Sequence, residues 1–214
     1  MITEYAFRLA CENGHLEVAK WLFAILPTID ISELNEYAFR LACENGHLEV
    51  AKWLFAIKPE INISAHGEYA FRLACKYGHI EVAEWLFAIK PTIDISELNE
   101  IAFLTACRNG HIKVAKWLFA IKPEINISAD GEYAFRFACE NGHFKVAKWL
   151  FAIKPTIDIS AENEHAFRCA CCNKHFEVAE WLQSLRPWLY QIHLENNKIK
   201  YHVNRRRRMN QKKM

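Results

Sequence analysis

Four side chains able to hold a soft metal crowd one stretch of the sequence: His165, Cys169, Cys172 and His175, at steps of four, three and three. On an α-helix such steps keep side chains on one face, since residues three and four apart lie one turn above each other. Two thiolates and two imidazoles form a zinc set. His175, however, belongs to a series in which His15, His47, His79, His111 and His143 stand at the same place 32 residues apart, each after a glycine. A residue that recurs with a structural unit serves that unit. These histidines are read as turn and second-helix-start residues, and the sequence calls for no catalytic residue, no metal and no cofactor. The glycines lie singly, so neither a P-loop nor a dinucleotide fingerprint is present.

The histidines are one column of a longer pattern, and internal periodicity decides architecture. Pro27, Pro59, Pro91, Pro123, Pro155 and Pro187 are all the prolines of the chain, and each is 32 residues from the next. Trp21, Trp53, Trp85, Trp117, Trp149 and Trp181 keep the same step, which assigns them to the core. Six units follow, starting at residues 4, 36, 68, 100, 132 and 164.

One unit, EYAFRLACENGHLEVAKWLFAIKPEINISAHG from Glu36 to Gly67, divides into two short helices and a return. Ala38, Phe39, Leu41, Ala42 and Cys43 give the first helix a small, apolar face, and Asn45-Gly46 ends it. The second helix, with Leu48, Val50, Ala51, Trp53, Leu54, Phe55 and Ile57, is apolar around most of its circumference until Lys58-Pro59 stops it. Ile61 and Ile63 alternate with Asn62 and Ser64, a period suited to an extended arm. Helices this short bury their faces only by stacking copy on copy.

The run A-C-x-x-G-H-L-E-V-A-K-W-L-F resembles the core of ankyrin repeats, with Gly14, His15, Glu17, Val18, Lys20 and Leu22 at family positions. Two departures stand out: Y-A-F-R replaces the family's T-P-L-H, and K-P-T or K-P-E replaces its G-A-D. The resemblance implies a mainly α, ankyrin-type helical solenoid over residues 1–186, with short extended arms between repeats. It also implies a non-catalytic module that seats a partner protein along a concave groove. Such homogenised arrays resemble ankyrin proteins of large DNA viruses and host-associated microbes, which implies a host-factor adaptor or decoy.

Residues 187–203 read as a β-hairpin about Asn196-Asn197, because pairing Glu195 with Lys198 also pairs Leu194 with Ile199, Ile192 with Tyr201 and Tyr190 with Val203. Residues 204–214 read as a disordered basic tail carrying Arg205, Arg206, Arg207 and Arg208, an import signal or a phosphate anchor in the alternative reading of a nuclear or nucleic-acid-associated protein. Nucleic acid is expected only through that tail. The longest run free of charge, Trp21 to Ile29, is too short to span a membrane, and Glu4, Arg8, Glu12 and Glu17 break any secretory signal. An intracellular monomer, cytoplasmic or nuclear, with its eight cysteines as free thiols is the expectation.

In an array of near-identical units, the informative positions are those that differ from their own copies. Arm tips contribute Leu34, His66 and Asp130, and first-helix positions contribute Lys76, Tyr77, Ile101, Leu104, Thr105, Arg108 and Phe137. Aromatic, arginine and apolar groups together are what binding hot spots use. These residues are the expected partner surface, and in the Arg8, Arg40, Arg72, Arg136 and Arg168 ladder local pairing is expected with Glu12, Glu44 and Glu140, four residues after Arg8, Arg40 and Arg136.

Overall fold

A computed structural model describes residues 2–26, 29, 33–195 and 198–204, without the side chains of residues 2, 3, 33–35, 97–99, 193–195, 198 and 199. The tail arginines, Asn196-Asn197 and the side chain of Leu34 therefore lie outside the described residues. Helices come in pairs: α1 (Ile2–Glu12) with α2 (Leu16–Ile25), α3 (Glu33–Glu44) with α4 (Leu48–Ile57), α5 (Ala65–Tyr77) with α6 (Ile80–Ile89), α7 (Glu97–Arg108) with α8 (Ile112–Ile121), α9 (Ala129–Glu140) with α10 (Phe144–Ile153), and α11 (Ala161–Cys172) with α12 (Phe176–Leu185). Two strands follow, β1 (Tyr190–Glu195) and β2 (Lys198–Val203). None of the described helices is long and apolar enough to cross a membrane.

The chain forms two compact units, one of residues 1–106 and 113–125, the other of residues 107–112 and 126–214. Within the first, α1 packs on α3 and α3 on α5; within the second, α9 packs on α11. Small residues permit this approach, since Ala42, Cys43, Ala74, Cys75, Ala138 and Cys139 are wholly buried. All eight cysteines are free, and burial pushes the Cys11 thiol up to about 12, so the ones inside the stack are inert at neutral pH.

The tryptophan column is packed differently from the expectation of a buried core. Trp53, Trp85 and Trp117 are half-buried, each lodged against two phenylalanines of the preceding repeat, and Trp181 is half-buried against three. Trp85, for example, meets Phe55 edge-on at 6.0 Å and Phe39 at 6.2 Å. Trp21 is 61% exposed, and Tyr5, Val18 and Ile25 are exposed as well.

The arm alternates burial as its period predicts, Ile61 and Ile63 inside with Asn62 exposed, but forms turns and no strand. Its shape comes from side-chain bonds. Asn62 Oδ1 accepts from the Ser64 N–H at 3.1 Å and Asp94 Oδ1 from the Ser96 N–H at 2.9 Å, which is why Asn and Asp exchange freely at this position. The Ser64 hydroxyl then donates to the Glu68 carboxylate at 2.6 Å and accepts from Lys90 of the next repeat. Lys122, Ser96 and Glu100 repeat this relay, and Lys154, Ser128 and Glu132 repeat it in the second unit. The lysine before Pro91, Pro123 and Pro155, a departure from the ankyrin pattern, thus ties one repeat to its predecessor.

The arm tips are a left-handed turn. His66, Gly67 and Glu68 have φ of 55°, 65° and 56°, as do Asp130, Gly131 and Glu132 at 50°, 64° and 63°. Each non-glycine residue held there costs about 1 kcal/mol or more. Arginine closes the turn: Arg72 Nε donates to Gly67 O at 2.6 Å, and Arg136 Nε to Gly131 O at 2.6 Å. The expected pairing with acids four residues on is therefore replaced, for Arg136, by bonds to the backbone of its own turn.

At the C-terminal end the hairpin register is as read from the sequence, Tyr190 opposite Val203 through to Glu195 opposite Lys198. Tyr190 is fully buried, stacked on Phe167 at 4.2 Å and 12°, and its hydroxyl donates to Glu164 at 2.6 Å. The strand pair gives the last repeat the apolar cover that a following helix gives the others.

Candidate functional site

His47, His79, His143 and His175 each sit over the glycine one repeat earlier. A Cβ on Gly46 would lie 2.4 Å from His79 Nδ1, and one on Gly142 would lie 2.5 Å from His175 Nδ1. His79 also donates to the Glu44 carbonyl and His143 to the Arg108 carbonyl. This role removes His175 from the zinc set. Cys172 leaves it too, since its sulfur lies 3.1 Å from the Tyr201 hydroxyl on the hairpin. The other two remain together: His165 Nε2 is 3.7 Å from Cys169 Sγ and 3.2 Å from Oε2 of Glu140, a residue of the preceding repeat.

Burial, the largest influence, lowers the pKa of both His79 and His143. The unfolded chain, with histidine near about 6.5, then takes up protons first as pH falls. Stability is fully present above that pH and is lost below it. The melting temperature should fall between about pH 7.5 and about pH 5, and His79→Gln with His143→Gln should flatten the difference; equal slopes for wild type and double variant would refute the assignment.

The expected partner residues divide between the two units. In the first, Lys76 places its ammonium 4.7 Å from the centre of the exposed Tyr77 ring, His66 is exposed, and Ile101 is half-buried. Thr105 spends its hydroxyl on the Ile101 carbonyl at 2.7 Å. Leu104 requires correction: at 1% exposure it is core, because a side chain without the polar head carried by arginine at this rung sinks fully. In the second unit Asp130 is exposed, while Arg108 and Phe137 belong to one cluster.

That cluster is built from two first helices and the end of a third. Phe137 lies 4.2 Å from the Tyr133 ring and 5.3 Å from the His165 ring. Arg108 covers Phe137 at 5.1 Å and donates to the Tyr133 hydroxyl at 2.9 Å; Arg136 flanks the same ring at 5.4 Å. The first unit carries a related ladder, with Arg40 between Tyr37 and Tyr69 at 5.6 and 5.3 Å and Arg72 over Tyr69 at 5.5 Å. Tyr37, Tyr69 and Tyr133 did not stand out in the sequence because tyrosine recurs there in most repeats, and Arg40 was assigned to local pairing. Their signal was the aromatic and arginine pair three residues apart in Y-A-F-R.

A family model described as ankyrin repeats (3 copies) matches residues 7–99 and again 103–187. The chain belongs to the ankyrin-repeat family. Its ankyrin fold is shared by an ankyrin repeat family protein from Legionella pneumophila, 23% identical with a TM-score of 0.52, covering 85% of this chain and 69% of that one. It is shared also by the human ASB11 ankyrin repeat domain, 19% identical with a TM-score of 0.62, covering 84% and 83%. No curated protein matches the sequence. Ankyrin repeats are in general protein-interaction modules and typically non-catalytic scaffolds.

Proposed function

We propose that this ankyrin protein captures a partner protein on its first-helix surface, with Arg108, Tyr133 and Phe137 as the anchor in the second unit, and that it acts as an adaptor or decoy for that partner. The observation that carries this is the half-buried Phe137 ring flanked by two guanidinium groups and a tyrosine. Tyrosine and arginine dominate binding hot spots, because each offers a large contact area with a polar handle. Lys76 with Tyr77, and the Tyr37, Arg40, Tyr69 and Arg72 ladder, supply the same chemistry in the first unit.

The test is affinity purification with mass spectrometry from cells expressing wild type or Arg108→Glu combined with Phe137→Ala, with circular dichroism confirming that both fold. Losing anchors of this kind costs about 2 kcal/mol or more each, so specific partners should disappear from the variant. A folded double variant that retains the wild-type partners would sink the proposal. The variant keeps the basic residues at 205–208, so nucleic acid captured equally by both proteins would belong to the tail.

A further inference from the structure

The sixth repeat departs from its copies at three positions on one face of its first helix, His165, Cys169 and Cys172, all to metal ligands, and the first two stay together. His165 stands where Tyr5, Tyr37, Tyr69 and Tyr133 stand, and Cys169 where Leu9, Leu41 and Leu73 stand. The fold brings a third ligand to them from the neighbouring repeat. Glu140 Oε2 is 3.2 Å from His165 Nε2, which is 3.7 Å from Cys169 Sγ, and the three ligand atoms lie within 4.8 Å of one another. We propose that Glu140, His165 and Cys169 form a zinc site.

Three observations support this. First, the spacing suits the ion. Tetrahedral zinc with bonds of about 2.0 Å to oxygen and nitrogen and about 2.3 Å to sulfur sets its ligands about 3.3 Å apart for nitrogen and oxygen and about 3.5 Å for nitrogen and sulfur. Second, Glu140 Oε2 is shielded from solvent and accepts no hydrogen bond, a costly state for a carboxylate oxygen that a cation beside it would relieve. Third, the charges close: a carboxylate and a thiolate balance a divalent ion. Arg136 and Arg168 stand nearby, but each spends hydrogen bonds on the backbone of its own turn, at Gly131 and Asp130 and at Asn163.

Burial keeps His165 on the neutral side, against the pull of Glu140, and neutral imidazole is the ligating form. A thiol ligates as the thiolate, so zinc displaces the Cys169 proton on binding. Three protein ligands leave one tetrahedral position for water or for an atom of another molecule. The site stands independently of the partner surface, although His165 touches Phe137.

The test is equilibrium dialysis of the full chain against zinc alone, followed by elemental analysis, with cobalt replacing zinc for a thiolate charge-transfer band. Wild type and Cys172→Ser should each hold one ion and show the band. His165→Tyr with Cys169→Leu installs the residues of the first three repeats and so should fold. It should bind at least about 100-fold more weakly, since removing even an outer-shell partner costs 10–100-fold. Zinc should raise the melting temperature of wild type and not of this double variant. Equal zinc content in wild type and the double variant, or loss of the ion in Cys172→Ser, would overturn the assignment.

Discussion

Gly46→Ala is expected to destabilise the first unit by about 2–4 kcal/mol, lowering the melting temperature by roughly 5–15 °C. Gly46 has φ of 77°, where alanine pays about 1 kcal/mol or more for its β-carbon. That carbon would also stand 2.4 Å from His79 Nδ1, forcing the ring away from the Glu44 carbonyl that it bonds. The clash predicts non-additivity: Gly46→Ala combined with His79→Ala should lose clearly less than the two single losses together, as neighbours sharing one contact do. Thermal melts of the four proteins decide it, and simple additivity would show that only the backbone angle matters. Lys174 is a natural control. It keeps the left-handed backbone at φ 63° without glycine, in the last repeat, where no junction histidine follows.

Trp85→Ala should cost about 2–4 kcal/mol, and Trp21→Ala less than about 1 kcal/mol. The two residues occupy one position of the repeat and differ in how far they are buried. Trp85 is lodged edge-on against Phe55 and beside Phe39, so truncation leaves two rings facing a void. Trp21 is 61% exposed and loses little that water does not replace. Chemical denaturation of both variants is the measurement; losses of similar size would mean that the tryptophan acts within its own repeat and not across the boundary.

The fold was legible wherever the sequence repeated a pattern that physics makes local. Regular spacing of Pro59, Pro91 and Pro123 marked the helix ends, and the alternation from Tyr190 to Val203 admitted one register. What escaped was set by neighbours. Glu68 and Glu132 in left-handed turns could not be foreseen from their own preferences; the turns are held by a serine hydroxyl four residues back and an arginine four residues on, with a lysine of the next repeat beyond. The half-burial of the tryptophans likewise belongs to the boundary between repeats.

The candidate sites show the same division. Helical spacing alone selected His165, Cys169, Cys172 and His175, yet the fold keeps two of them together and adds Glu140, which is 25 residues before His165. Adjacent repeats place such distant residues side by side, a relation that one helix face cannot reveal. Leu104 was misplaced for a related reason. Difference from the other copies marks a position as unusual, but not whether it faces solvent or its neighbour.

The lysine-to-serine relay and the tryptophan between two phenylalanines, repeated within the first unit, make its repeats interchangeable parts. Excising one 32-residue period, such as 36–67, brings together surfaces that already fit, because the new neighbours present the same groove and the same knob. Lengthening or shortening by unequal crossing-over therefore needs no compensating change at the seam. Such an array can vary its reach in single genetic steps while leaving the chemistry of every joint intact.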